Sequence, residues 1–161
     1  MILIVGWIVT AVALAGCFSA ELAQPHRFSE NPVEIVGNFF LGKEKGGNGY
    51  SVAMTQRPST RNNAAYMVLI SNVSLLGWND DFIVAETPSA SDTSSEWYLV
   101  VVSTRQVYHC AERLKELSEK TSATEACSSL EQFVELKTKL GVPGDFALQN
   151  STEVYERLKP H

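Results

Sequence analysis

The sequence predicts an α+β domain: an antiparallel sheet of about five strands over residues 33–103, then two or three C-terminal helices packed on one of its faces. Two observations predict it. Short β-prone runs broken by Gly, Asn, Pro and Ser fill the first part, and after Thr104 the apolar spacing becomes helical. Strands first and helices afterwards favour helices gathered on one side of an antiparallel sheet. A chain of 161 residues has room for one domain with a substantial core, assigned here to 33–161.

The strands follow in order. VEIVGNFFL (33–41) is apolar and β-prone, and KEKGGNG (43–49) supplies a Gly/Asn turn into YSVAMTQ (50–56), so the two runs read as a hairpin. In the second run Tyr50, Val52 and Met54 alternate with Ser51, Ala53 and Thr55. RPSTRNN (57–63) is a polar loop and AAYMVLI (64–70) a third strand. A turn at Gly77-Trp78-Asn79-Asp80 leads into DFIVAE (81–86). The Ser-rich run 87–95 is loop, and EWYLVVVS (96–103), apolar on both faces, suits a central strand.

Beyond it, Thr104 reads as the cap of a helix with a stripe of Val107, Cys110, Ala111, Leu114 and Leu117. A second helix follows the connection 121–126: Ser128 as cap with Glu131 completing a capping box, Leu130, Phe133 and Val134 as its apolar side, and Gly141 and Pro143 as its stop. A short third helix is expected over 152–158, capped by Asn150 or Ser151.

The N-terminus sets the location. Residues 1–16 carry no charged side chain, yet as a helix they reach only about 24 Å, short of a ~30 Å hydrocarbon core. A signal-peptide core ending in small residues fits that length. Leu14-Ala15-Gly16-Cys17 resembles the lipobox of bacterial lipoproteins, although no Lys or Arg precedes the apolar run. The resemblance implies a signal peptide over 1–16, a diacylglyceryl thioether on Cys17, cleavage just before it, and a tether over 17–32. An uncleaved membrane anchor and a buried N-terminal strand are the alternatives. The implied partner is a lipid bilayer gripped through Cys17. Without Asp after that cysteine, a diderm host would place the protein at the periplasmic face of the outer membrane.

The remaining cysteines are Cys110 and Cys127. An even pair in an exported chain is most simply a disulfide, and closing the 16-residue interval between them is worth about 3 kcal/mol by chain entropy. Two buried thiols are the alternative. His109 beside Cys110 makes a poor nucleophile pair on a helix, where adjacent side chains diverge by about 100°. No C-x-x-C or H-x-x-x-H spacing supports a metal site, and no cofactor is expected.

A second, looser resemblance spans about 35–148. GWNDDFIVAE, SSEWYLVVVS and FVELKTKLGVP resemble a family of small uncharacterised bacterial lipoproteins, which carries over no catalytic residue.

Net charge is −5 and no strongly basic cluster exists, which disfavours nucleic acid as a partner. Trp78, Asp80 and Asp81 form a polar-aromatic cluster that reads chiefly as a turn. Arg57 and Arg61, flanked by Tyr50 and Tyr66, form a candidate recognition patch. The expected function is non-catalytic protein binding by a membrane-tethered envelope lipoprotein, of immunity, inhibitor or assembly type, with another envelope or secreted protein as partner. The competing expectation is a small hydrolase or ligand-binding lipoprotein using Asp80, Asp81 and His109.

Overall fold

The computed structural model describes residues 28–47, 49–55, 66–89, 95–111 and 126–160. Among them are ten strands and two helices. The broad α+β expectation holds, but there are two sheets where one was expected. The first has four strands and the second six.

In the first sheet, β1 (Val33–Val36), β2 (Phe39–Lys43), β3 (Tyr50–Thr55) and β4 (Tyr66–Val73) form an antiparallel meander. The run 33–41 is therefore not one strand. Gly37 takes φ +56°, a left-handed value that glycine adopts readily, and the chain reverses between Val36 and Phe39. The expected Gly/Asn turn does join β2 to β3, with Lys43 opposite Tyr50.

Ser74 is the crossing point. Its amide and hydroxyl both donate to the Glu86 carbonyl, which carries the chain into the second sheet. There β5 (Leu75–Trp78), β6 (Phe82–Pro88), β7 (Ser95–Val101) and β8 (Gln106–Ala111) pair antiparallel in sequence. Gly77 and Trp78 lie in β5, not in a turn; the turn proper is 79–81. The Asn79 side-chain oxygen accepts from the amides of Asp81 and Phe82, at 2.9 and 2.8 Å. As expected, β7 is a central strand.

The helix expected from Thr104 is overturned where the structure describes it, since Gln106–Ala111 is strand β8. Arg105 adopts φ +60° and its amide donates to the Val101 carbonyl, closing a hairpin from β7. Leu114 and Leu117 lie outside the described residues. The short strand β9 (Ala126–Cys127) runs parallel to β8, with Cys127 level with Cys110.

Helix α1 (Leu130–Leu140) starts one residue later than expected. Its cap is Ser129, whose hydroxyl accepts from the Gln132 amide at 3.2 Å, while the Gln132 side chain accepts from the Ser128 amide at 2.8 Å. The cap therefore uses Ser129 with Gln132, whose side chain reaches back to the residue before the cap, and not the expected box of Ser128 and Glu131. Gly141 at φ +79° ends the helix as expected, its amide donating to the Thr138 carbonyl. Phe133 is the buried residue of α1, whereas Leu130 and Val134 are exposed.

The last helix, α2 (Ser151–Leu158), follows the two-residue strand β10 (Gln149–Asn150), and Asn150 caps it. Ser151 pins it to the seam between the sheets: its hydroxyl donates to the Val73 carbonyl at 2.7 Å and its amide to the Ser74 carbonyl at 3.0 Å.

The two helices thus do not share one face. One apolar cluster lies between the sheets and includes Phe39, Leu41, Val52, Ile70, Ile83 and Val100, with Val154 and Tyr155 of α2. The other lies between the far side of the second sheet and α1, with Val84, Leu99, Tyr108, Cys110 and Phe133. The layers run first sheet, second sheet, α1, which explains why β7 and β8 are apolar on both sides.

Candidate functional site

Of the expected recognition patch around Arg57 and Arg61, the structure describes the flanking tyrosines and not the two arginines. Tyr50 is a core residue whose ring lies 5.2 Å from that of Tyr155. Tyr66 is half-buried and meets Phe28 and Phe40 edge-on, at 5.6 and 5.3 Å. Burial alone pushes its hydroxyl above the usual tyrosine range. Trp78 packs against the inter-sheet core. Arg57, Arg61 and Cys17 lie outside the described residues.

Asp80 and Asp81 are exposed at the turn between β5 and β6, whereas His109 is buried in β8. Ala85, not Phe82, stands level with Tyr98 and His109 in the pairing. At ~3.3 Å per residue and ~4.8 Å per strand, Asp81 is roughly 13 Å along the sheet and roughly 10 Å across it from His109. The structure does not bring this set together.

It brings His109 to a different carboxylate. Glu96 of β7 and His109 of β8 lie on the same side of the second sheet as Tyr98, and only 7% of the His109 side chain and 23% of that of Glu96 is exposed. Glu96 Oε2 lies 3.0 Å from His109 Nε2 and accepts from the Tyr98 hydroxyl at 3.1 Å. The Tyr98 and His109 rings stack at 4.3 Å, 9° from parallel. Burial, then the Glu96 charge and its hydrogen bond, hold the Tyr98 hydroxyl neutral far above the usual tyrosine range.

This geometry fixes the imidazole. An ionised carboxylate can only accept, so Nε2 carries the proton, and in the neutral ring Nδ1 presents a lone pair. Among the described residues Nδ1 is a buried polar atom with no hydrogen-bond partner. The cluster can therefore orient an imidazole as a base, but chemistry would require a donor at Nδ1. No group of three or more His, Cys, Asp or Glu among the described residues is placed to hold a metal ion.

Next to His109, Cys110 is joined to Cys127 by a disulfide, with Cα atoms 4.4 Å apart. The expected pairing is present, as a link between adjacent parallel strands and not between helices. Glu96 and Tyr98 escape a reading of the sequence because their role depends on pairing with β8. Once 106–111 is a strand, the Glu-x-Tyr spacing of β7 and the alternate positions of β8 put all three groups on one side.

No family model, curated protein or solved structure matches the chain.

The last residues of the expected tether, from Phe28 on, are held to the domain, while residues 1–27, with the expected signal peptide, lie outside the described residues. Phe28 bridges to Glu44, and the Ser29 amide donates to the Lys43 carbonyl at 2.9 Å. Glu30 pairs with Lys159 at 2.8 Å, and the Tyr155 hydroxyl donates to the Asn31 carbonyl at 3.0 Å. Residues 28–31 are thus a strap tying the first sheet to α2. The Lys159 bond and charge pull the Glu30 carboxyl below its usual range, though both groups are exposed and the pair adds little to stability.

Proposed function

We propose that this chain is a lipid-anchored protein of the bacterial envelope that acts by binding another envelope or secreted protein. One observation carries the reading: the Cys110–Cys127 disulfide, formed by the two cysteines left once Cys17 is assigned to lipid. Disulfides persist in oxidising compartments and are rare in the cytosol, so the bond and the lipobox resemblance support the same address. Membrane attachment in this reading comes from acyl chains on Cys17, each buried CH₂ contributing roughly 0.8 kcal/mol. Among the described residues no helix is long and apolar enough to cross a membrane.

Binding is favoured over catalysis by the disposition of polar groups. Asp80 and Asp81 face solvent far from His109, and the part-buried His109–Glu96–Tyr98 cluster satisfies itself, among the described residues, apart from one nitrogen. Such a network specifies how β7 and β8 pair. The test is capture: the full protein, purified with its anchor and reconstituted on vesicles, is exposed to detergent-free periplasmic and secreted fractions. The reading predicts stoichiometric retention of a defined protein, lost when the disulfide is reduced. Retention of nothing beyond what bare vesicles hold would overturn it.

A further inference from the structure

The strap carries a consequence for how the domain lies on its membrane. Phe28 is where the described chain begins, and its ring sits on the outer side of the first sheet. Leu41 points into the inter-sheet core, so Gly42 after it points outward, and a Cβ at Gly42 would meet three Phe28 ring atoms at 2.5–2.9 Å. Phe40 lies on that same outer side, two residues from Gly42. Tyr66, opposite Thr55, belongs there too, since Phe40 pairs with Ala53 and Ala53 and Thr55 share a side. The three rings touch in series, Phe28 on Tyr66 and Tyr66 on Phe40, and each is partly exposed.

Resting on the lipoprotein reading above, we propose that this outer face, centred on Phe28, Phe40 and Tyr66, is the surface the domain lays against the lipid bilayer. The length of chain outside the described body decides the occupant. Ten residues, 18–27, separate Cys17 from Phe28. Ten residues span at most about 35 Å, whatever conformation they take. A lipid anchor at Cys17 thus holds the membrane close to the side from which the strap emerges. The competing apolar surface is the exposed side of α1, with Leu130 and Val134. It lies beyond the second sheet, about two layer spacings of roughly 10 Å away, and presenting it to the bilayer would need the link drawn almost taut around the body.

The chemistry of the face suits an interfacial contact. The amphipathic ring of Tyr66 favours the boundary between headgroups and acyl chains, and Phe28 and Phe40 add apolar area to such a contact. Glu34, opposite Phe40, and Glu44, two residues beyond Gly42, are placed on this side while Lys43 alternates to the other, so no net positive field ties the contact to anionic lipid. Zwitterionic vesicles should therefore serve as well as anionic ones.

Photo-crosslinking tests this on the complete anchored protein. It is reconstituted in phosphatidylethanolamine/phosphatidylglycerol vesicles and in phosphatidylcholine vesicles, each carrying a phospholipid with a carbene precursor near its headgroup. Labelled peptides are then mapped by mass spectrometry, alongside the mass of the Cys17 peptide. The expected result is labelling of 28–43 and 66–70 severalfold above 130–140 in both lipids. Labelling concentrated on 130–140, or spread evenly, with Cys17 acylated, overturns this proposal and leaves the lipoprotein reading standing. An unmodified Cys17 overturns both.

Discussion

The residue that most rewards close reading is His109. Its imidazole is stacked on Tyr98 and bonded to Glu96 on one nitrogen, with the other buried and unpartnered among the described residues. Removing one partner of a buried pair leaves the other's desolvation uncompensated, whereas replacing both by apolar groups can be nearly neutral. His109→Leu should therefore cost about 1–3 kcal/mol, and adding Glu96→Leu should recover part of that loss, as read by urea unfolding. Purely additive losses would show that the two groups are not coupled. Tyr98 gives a pH prediction. An unfolded tyrosine ionises near pH 10, but this hydroxyl is held neutral well above that. The unfolded state therefore releases its proton first, so the Tyr98 contribution is complete below about pH 10 and is lost progressively above it. Tyr66 and Tyr155 are shifted the same way, so Tyr98→Phe serves as the specific control. The stability gap between wild type and Tyr98→Phe should narrow between pH 10 and 11.5 in thermal melts; a constant gap would refute the assignment.

At the scale of elements, what the sequence made legible depended on how local each signal was. The β2–β3 turn, the central position of β7, the Gly141 stop and the Asn150 cap are set by a few adjacent residues, and each stands where expected. Strand β8 reads as a helix in the sequence because both its faces are covered. Val107 faces the inter-sheet core while Tyr108 and Cys110 face the α1 side, so apolar residues follow one another with no clear period. Val107, Cys110 and Ala111 then fit helical spacing equally well. Strand β5 was hidden in the same way, since Gly77 resembles a turn glycine. Its requirement is in fact close approach: a Cβ there would run into the Ala147 carbonyl of the segment lying over the strand. The strap was hidden in turn because its partners, Lys43, Tyr155 and Lys159, are distant in sequence. Two variants check these elements. Gly42→Val should push Phe28 off the sheet and free the Ser29 amide to exchange, with only a small drop in melting temperature; continued protection of Ser29 would contradict the strap. Reducing the Cys110–Cys127 bond should lower stability by about 3 kcal/mol, roughly 10 °C in melting temperature for a domain of this size. An unchanged melt would mean that the link between β8 and β9 constrains nothing in the unfolded chain.

For the whole molecule, the candidate site was less legible than the fold. Of the residues the sequence singles out, the structure unites Cys110 with Cys127, buries Tyr50 in the core with Trp78 packed against it, and leaves Asp80 and Asp81 in a solvent-facing turn. The reason is physical: a turn aspartate and a catalytic aspartate look alike until strand register says which groups share a side. What organises the molecule instead is a stack of two sheets and a helix, closed at one end by a disulfide and entered at the other surface by an aromatic strap. The proposed address and partner depend on lipid being joined to Cys17, which ten residues separate from that strap. The mass of the mature N-terminal peptide tests this most directly. The account predicts a chain beginning at Cys17 with a diacylglyceryl thioether on its sulfur. A chain that still begins at Met1, with Cys17 as a free thiol, would contradict it.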